Sequence, residues 1–315
     1  MSRMRTGFVI RLSTLGAVVF LALFFARAGF IRASSTASAA SMARPAAFID
    51  AKAQKLLAAA TAAPAVQLAN ISTRLPVGSG DNVLIAGFTI TGSQPKKIIV
   101  RGLGPLLPVN ANLADPTLEL HDSFGGTVAG NDNWRDTQQD ELKATTIPPV
   151  NDYDSAIVKS LAPGAYTAVL AGKGSTTGVG LVEVYDLDLA ADSRLVNIAT
   201  RGRVGDGDDV LICGTIAVGS GTTTVLFRGL GPSTGVPGAL NDPTLELHDG
   251  QGATIATNDN WQDTQGAAIQ ATTIPPNDPR EAAILRDLIP GAYTAVVRGK
   301  NGTTGVAVID AYQLN

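Results

Sequence analysis

The sequence predicts an all-β protein made of two tandem antiparallel β-sandwich domains of jelly-roll type, which follow an N-terminal signal or anchor helix. Its 315 residues include 34 Gly and 17 Pro, which indicates many turns between short strands. Apolar and polar residues alternate with period two in several short segments, as in half-buried strands. A shift of 127 residues superimposes much of the sequence on itself, which indicates a duplicated unit.

Residues 1–39 have the order of a secretory signal peptide. Three arginines precede an uncharged, largely apolar stretch at 12–26, and A-x-A sites follow at 26–28 and 37–39. Fifteen helical residues extend about 22 Å, which is less than the ~30 Å of a bilayer core. We therefore expect export and cleavage. An uncleaved N-terminal anchor is the alternative, and it is the only membrane contact that the sequence suggests.

Residues 40–67 are rich in Ala and are predicted to form a tether. The formal charge of −3 includes six arginines within residues 1–44, where no acidic residue occurs. Without them, 18 basic residues face 27 acidic ones, and the net charge is −9. Nucleic acid is excluded as a partner because phosphates select Lys and Arg. The single Cys excludes an internal disulfide.

The remainder of the chain is one unit written twice. The first copy is predicted to span 68–188 and the second 195–315, with a short polar join between them. Each copy has about 120 residues, enough for a core of its own, so two tandem domains are the preferred interpretation. The identical segments are DPTLELHD at 115–122 and 242–249, NDNW at 131–134 and 258–261, TTIPP at 145–149 and 272–276, and PGAYTAV at 163–169 and 290–296.

Each copy contains seven or eight predicted strands. Leu118 and Leu120 alternate with polar residues, which is typical of a strand with one buried face. A single helical turn is expected at 138–144, before two prolines. The other strands of the first copy are predicted at 71–75, 82–91, 96–101, 127–130, 156–161, 164–171 and 179–187.

Several of these residues follow the pattern of a known family. Over both copies, about 240 residues, the sequence resembles bacterial pre-peptidase C-terminal (PPC) domains and a module found in bacterial surface proteins. The resemblance implies a secreted jelly-roll module with an accessory or binding role. The matching residues are Asp115-x-x-Leu118-x-Leu120-x-Asp122, Gly125, Asn131-Asp132 and Pro163-Gly164-x-Tyr166-Thr167.

The most polar loop of each copy is a candidate calcium site. Ca²⁺ takes six to eight oxygen ligands from carboxylates, amides and carbonyls. The alternative is that these side chains hold turns by bonding their own backbone. The candidate ligands are Asn131, Asp132, Asn133 and Asp136 in the first copy, and Asn258, Asp259, Asn260 and Asp263 in the second.

Trp134 and Trp261 follow these loops directly and are candidate platforms for a sugar ring. In the alternative interpretation, each indole closes one end of its sandwich and donates its N–H to a backbone carbonyl. Arg101 and Arg228 end a strand before a G-L-G-P turn, and we expect each to pair with an acidic neighbour.

Catalytic motifs are lacking in the sequence. There is no G-x-S-x-G elbow and no H-E-x-x-H, and the only two histidines, His121 and His248, occupy equivalent positions. The predicted function is therefore that of an exported, non-enzymatic pair of binding or structural modules, with an extracellular glycan or surface protein as partner. A calcium-dependent carbohydrate-binding protein is the first alternative. An extracellular hydrolase that uses Glu119 and Asp122 is the second.

Overall fold

The computed structural model describes residues 66–207 and 209–314, apart from the side chain of Asp81. The described part contains sixteen β-strands and two α-helices, so the predicted all-β class is confirmed. The signal or anchor at 1–39 and nearly all of the tether at 40–67 lie outside the described residues. Within residues 66–314, no helix is long and apolar enough to cross a bilayer.

Eight strands belong to each repeat. The first repeat contains β1 (Gln67–Val77), β2 (Leu84–Gly92), β3 (Lys96–Leu103), β4 (Pro116–Asp122), β5 (Thr127–Asn131), β6 (Ser155–Leu161), β7 (Gly164–Gly172) and β8 (Gly178–Asp186). The second contains β9 (Ser193–Val204), β10 (Leu211–Val218), β11 (Thr223–Leu230), β12 (Pro243–Asp249), β13 (Thr254–Asn258), β14 (Ala282–Leu288), β15 (Gly291–Gly299) and β16 (Gly305–Gln313). Helix α1 (Gln139–Ala144) follows β5, and helix α2 (Gln262–Ala271) follows β13.

The strands pair in two antiparallel rows of eight. Sheet A has the order β5-β4-β7-β2-β9-β16-β11-β14. Sheet B has the order β6-β3-β8-β1-β10-β15-β12-β13. One further pair, between Leu68 of β1 and Leu195 of β9, connects the two rows. Both sheets therefore run through both repeats.

The first strand of each repeat joins the two repeats. Strand β1 lies between β8 of its own repeat and β10 of the other, while β9 lies between β16 and β2. The two junctions have the same register. Ile71 pairs with Thr215, and their counterparts in the other repeat, Ile198 and Phe88, pair with each other. The predicted domain boundaries, 68–188 and 195–315, separate the two sequence repeats, but both sheets continue from one repeat into the other. The product is one sandwich whose two repeats pair through equivalent strands, in place of two sandwiches in series.

The main core lies between the sheets and draws on both repeats. In β2, Leu84, Ala86, Phe88 and Ile90 are buried and alternate with partly exposed residues, as period two requires. Leu118 and Leu120 point into this core, as predicted. Phe227 and Leu247 of the second repeat belong to the same cluster, so neither repeat encloses a core that is separate from its neighbour.

A smaller apolar layer covers the outer face of β3 and β6 in the first repeat. The segment between β5 and β6 folds back over this face and packs Trp134, Leu142 and Ile147 against Ile99 and Val158. The second repeat repeats the arrangement on β11 and β14, where Trp261 and Ile269 pack against Leu226 and Ala283. This layer carries the loops in which the sequence places its candidate sites.

Candidate functional site

Asn131 and Asn258, two of the predicted calcium ligands, use their side-chain amides in hydrogen bonds to the backbone. The Oδ1 atom of Asn131 accepts a 2.8 Å hydrogen bond from the backbone N–H of Ala156, and its Nδ2 donates to the carbonyl of Asn133 at 3.0 Å. Asn258 does the same with Ala283 and Asn260, at 2.9 and 3.0 Å. Both side chains hold the loop against an outermost strand, which is the turn-holding role that we gave as the alternative to calcium.

A glutamine completes this covering of the outermost strand. Gln138 receives the N–H of Val158 at 3.0 Å and donates to its carbonyl at 2.9 Å, as a neighbouring strand would. Gln265 forms the same two bonds with Leu285, at 3.0 and 2.8 Å. This role was not among the sequence predictions, although Gln recurs at equivalent positions of both copies, which is a signal for it.

Asp132 and Asp259 face a lysine ammonium. Lys173, in the turn between β7 and β8, places Nζ 2.6 Å from Asp132 and 3.9 Å from Asp115. Lys300 lies 2.6 Å from Asp259 and 3.5 Å from Asp242. The hydrogen bond to the aspartate raises the pKa of each lysine, so both ammonium groups stay charged at neutral pH.

Several side-chain oxygens of these aspartates and of Asn133 are shielded from solvent and accept no hydrogen bond. They are Oδ1 of Asp115, Asp132 and Asn133 in the first repeat, and Oδ1 of Asp242 and Asp259 in the second. Asn133 donates to Asp136 at 3.1 Å and Asn260 donates to Asp263 at 3.0 Å, both at the surface. Among the described residues, no three His, Cys, Asp or Glu side chains converge as a metal site would require. Calcium remains a prediction for this loop.

The interpretation of Trp134 and Trp261 as sugar platforms needs correction. Their exposed fractions are 2% and 6%, and their Nε1 atoms donate to the carbonyls of Asn151 and Asp278 at 3.1 and 3.2 Å. The Arg135 guanidinium also covers the Trp134 ring, 4.2 Å from its centroid. Neither indole offers a free face on which a sugar could stack. The large apolar ring is needed inside the outer layer, and its one polar atom finds a carbonyl there.

In each repeat, the arginine before the G-L-G-P turn is paired with an acidic residue, as expected. Arg101 donates to the carboxylate of Glu183 and, at 3.0 Å, to the carbonyl of Ile147, while its guanidinium lies over the Tyr185 ring. The counterpart Arg228 pairs with Asp310 at 2.7 Å and donates to Ile274 at 2.8 Å. These bonds fasten the T-T-I-P-P segment of each repeat to its sheet.

A second buried acid links two loops in each repeat. Asp154 accepts the N–H of Gly104 at 2.9 Å, while its own carbonyl accepts the N–H of Trp134. Glu281, its counterpart, accepts the N–H of Gly231 at 2.9 Å. Desolvation by burial raises the pKa of Asp154 to about 6. This carboxyl therefore titrates close to neutral pH although it serves the fold.

Glu119 and Asp122, the two carboxylates of the hydrolase alternative, bind different partners. His121 Nε2 lies 3.0 Å from Glu119, and His248 lies 3.2 Å from Glu246, as neighbouring residues of one strand. Asp122 instead turns towards the backbone and accepts the N–H groups of Phe124 and Gly126 at 2.9 Å. Its carboxylate holds the β4–β5 turn, a use that favours a structural role over proton transfer.

We predict that Asn131→Ala destabilises the protein by about 1 to 3 kcal/mol, because the buried N–H of Ala156 loses its acceptor. Asn133→Ala is the matched control in the same loop, and it should change the free energy of unfolding by less than about 0.5 kcal/mol. Urea denaturation measures both values. Equal effects from the two substitutions would show that Asn131 does not support β6.

We predict that Asp154→Asn changes the pH dependence of stability. Burial raises the pKa of the Asp154 carboxyl from 3.8 to about 6. Between about pH 4 and 6, this carboxyl therefore keeps its proton in the folded protein and loses it in the unfolded chain. The free energy of unfolding therefore falls as the pH rises through this window. Asn keeps an acceptor for Gly104 and removes this fall, which amounts to up to about 3 kcal/mol. Parallel stability profiles for wild type and variant between pH 4 and 7 would contradict this assignment.

Comparison with known proteins gives no family for this chain. No family model matches the sequence, and no curated protein matches it. Among solved structures, the STIV MCP is 12% identical with a TM-score of 0.23, over 79% of this chain and 96% of that one. A DUF4785 family protein from Legionella pneumophila is 9% identical with a TM-score of 0.21, over 78% and 82%. Similarity at this level supports no argument about fold or function.

Proposed function

We propose that the chain is an exported, non-enzymatic protein with a duplicated β-sandwich fold, and that it binds a protein at the bacterial cell surface. The signal-like N-terminal segment and the acidic composition of the rest support export. The bonds of Asp122, Asn131 and Gln138 support a non-enzymatic role, because each of these polar side chains is occupied in holding backbone groups.

The observation that carries the binding role is a difference between the repeats. Large apolar side chains are exposed in two neighbouring loops of the first repeat, where Leu106, Val150 and Tyr153 are 62%, 78% and 58% exposed. The hydrogen bond from Gly104 to Asp154 brings these loops together. Exposed apolar clusters of this kind are typical of interaction surfaces.

The equivalent loops of the second repeat are polar. Ser233, Asn277 and Arg280 stand where the first repeat has Leu106, Val150 and Tyr153. Ser233 donates to Glu281 at 2.7 Å, and Arg280 pairs with Asp278 at 2.8 Å. The fold therefore accepts polar residues at these positions, so its stability does not require the apolar side chains of the first repeat.

This difference supplies variants for a test. We expect the full chain to be exported and to bind intact cells that lack it, and we expect Leu106→Ser with Tyr153→Arg to weaken this binding at least tenfold. Both substitutions install the residue that the second repeat carries. Phe124→Gln is the matched control, since Phe124 is 96% exposed, lies at the far end of β4 and corresponds to Gln251. Flow cytometry with labelled protein measures the binding.

Retention of the protein in the cytoplasm would contradict the proposal, as would equal binding by the double variant and wild type. A hydrolase activity that is lost in Glu119→Gln or Glu246→Gln would contradict its non-enzymatic part. These outcomes are separable, because fractionation reports export, cytometry reports binding, and the glutamine variants report catalysis.

The second candidate function is calcium-dependent binding, which the unpaired oxygens of Asp115, Asp132 and Asn133 favour. If Ca²⁺ occupies this loop, millimolar Ca²⁺ should raise the melting temperature above its value in EDTA. One site at a hundredfold excess over its dissociation constant adds about 2.7 kcal/mol. Mg²⁺ is the control ion. An unchanged melting temperature in Ca²⁺ would leave Lys173 as the counter-ion of these carboxylates and would exclude the calcium alternative.

A further inference from the structure

The outer face of sheet B is buried over β10 and β15. Ile212, Thr294 and Val296 alternate with Cys213 and Ala295, which belong to the core between the sheets, so these three residues point outwards. They are nevertheless at most 7% exposed. The outer face of an antiparallel sheet meets solvent unless another segment packs on it. This face is therefore covered.

The equivalent face of sheet A is open. Ile85, Thr167 and Val169 of β2 and β7 are the counterparts of those three residues, and each of them is partly exposed. The segment PGAYTAV, which contains Thr167 and Val169, is identical in the second repeat. Identical side chains are thus buried on one sheet and partly exposed on the other, so the cover of sheet B does not come from the repeated sequence.

The segments that flank this face reach only its margins. The linker after β8 packs over one margin, at Ile216, and helices α1 and α2 pack on β6 and β14. At the other margin, Arg298 directs its guanidinium to a backbone carbonyl at 2.8 Å. Within the described part of the chain, Ile212 and Val296 form an apolar cluster with Val210 alone. The cover over the middle of the face therefore comes from elsewhere.

The chain enters sheet B next to this face. Sixty-five residues precede Val66, which is buried and continues directly into β1, the neighbour of β10. The inner face of β1 lies in the main core, through Ile71 and Leu75. Connections between a helix and the strand that follows it usually have two to six residues. A helix just before β1 would therefore return over the outer face of the same sheet.

Residues 46–62 have the sequence of a helix with one apolar side. Pro45 and Pro64 bound this segment, and Pro is compatible with the first turn of a helix and ends a helix that precedes it. Seventeen helical residues extend about 25 Å, close to the roughly 27 Å of the eight residues of β10. Gln54 and Lys55 lie outside the apolar stripe. The stripe consists of Ile49, Ala53, Leu56, Leu57 and Ala60.

We propose that residues 46–62 form an amphipathic helix whose apolar stripe packs on the outer face of sheet B, over β10 and β15. Four residues, 63–66, then connect this helix to β1. The segment becomes part of the fold in place of a free tether, and it keeps the export signal or anchor close to the sandwich. This packing is independent of the binding function proposed above, since the apolar loops of the first repeat take no part in it.

Trypsin cleavage after Lys52 and Lys55 tests whether this segment is packed on the sheet. In the full chain, we expect Val296→Lys to speed this cleavage at least tenfold, because a buried charge beneath the apolar stripe opposes packing. Val169→Lys is the matched control, since it places the same charge at the equivalent position of the open face. This control should be cleaved like the wild type. Mass spectrometry identifies the cleaved bonds.

A second pair of variants tests the helix side of the contact. Leu56→Asn removes part of the apolar stripe and should also speed the cleavage at least tenfold, whereas Gln54→Asn, outside the stripe, should leave it unchanged. Circular dichroism checks that each variant keeps its strands. Equal cleavage of the wild type and Val296→Lys, or of Leu56→Asn and Gln54→Asn, would overturn the proposal. So would a wild type that is a dimer by light scattering and that Val296→Lys converts to a monomer, since a second copy would then cover this face.

Discussion

The exchange of first strands between the repeats is the constraint on which the rest of the structure depends. Strand β1 is almost wholly buried and has a partner on each side, one from each repeat. Side chains reinforce the junction, since Thr73 donates to the carbonyl of Ile212 at 3.1 Å and Thr215 donates to that of Asn70 at 3.0 Å. Strand β10 supplies the hydrogen-bond partners for the backbone groups on that side of β1, which buried groups require. The two repeats therefore form one folding unit with a common core.

The outer layer follows from the same duplication. Each repeat folds one long segment over the outer face of an outermost strand and holds it with a buried tryptophan and an arginine, which are Trp134 and Arg101 in the first repeat. Arg101 and Arg228 retain the same bonding pattern although their acidic partners are Glu183 and Asp310. Polar residues that resemble a binding loop are thus used to hold this layer in place. What differs between the repeats is the outer surface, where the apolar loops of the first repeat become polar in the second.

The all-β class and most strand positions could be predicted from the sequence, because period two in segments such as β4 records which face is buried. The pairing of β1 with β10 could not, since two nearly identical repeats offer β1 two equivalent partners. The Trp–carbonyl bond was one of two interpretations that residue chemistry offered, and an acidic partner for Arg101 was expected without its identity. The recurrence of Gln138 and Lys173 in both copies marks these residues, but the groups that they bind depend on how the folded loops and strands are placed.

The shared core can be tested with the one tryptophan that each repeat contains. Trp134→Phe leaves Trp261 as a reporter of the second repeat, and Trp261→Phe leaves Trp134 as a reporter of the first. Both rings are buried, so their fluorescence follows the unfolding of their surroundings. Urea titrations of the wild type and of both variants are followed by circular dichroism, which reports total strand content. Continuous sheets predict that each single-tryptophan variant unfolds in one step, with its fluorescence and circular dichroism transitions coincident. Two separate steps, with each tryptophan following only one of them, would contradict the account.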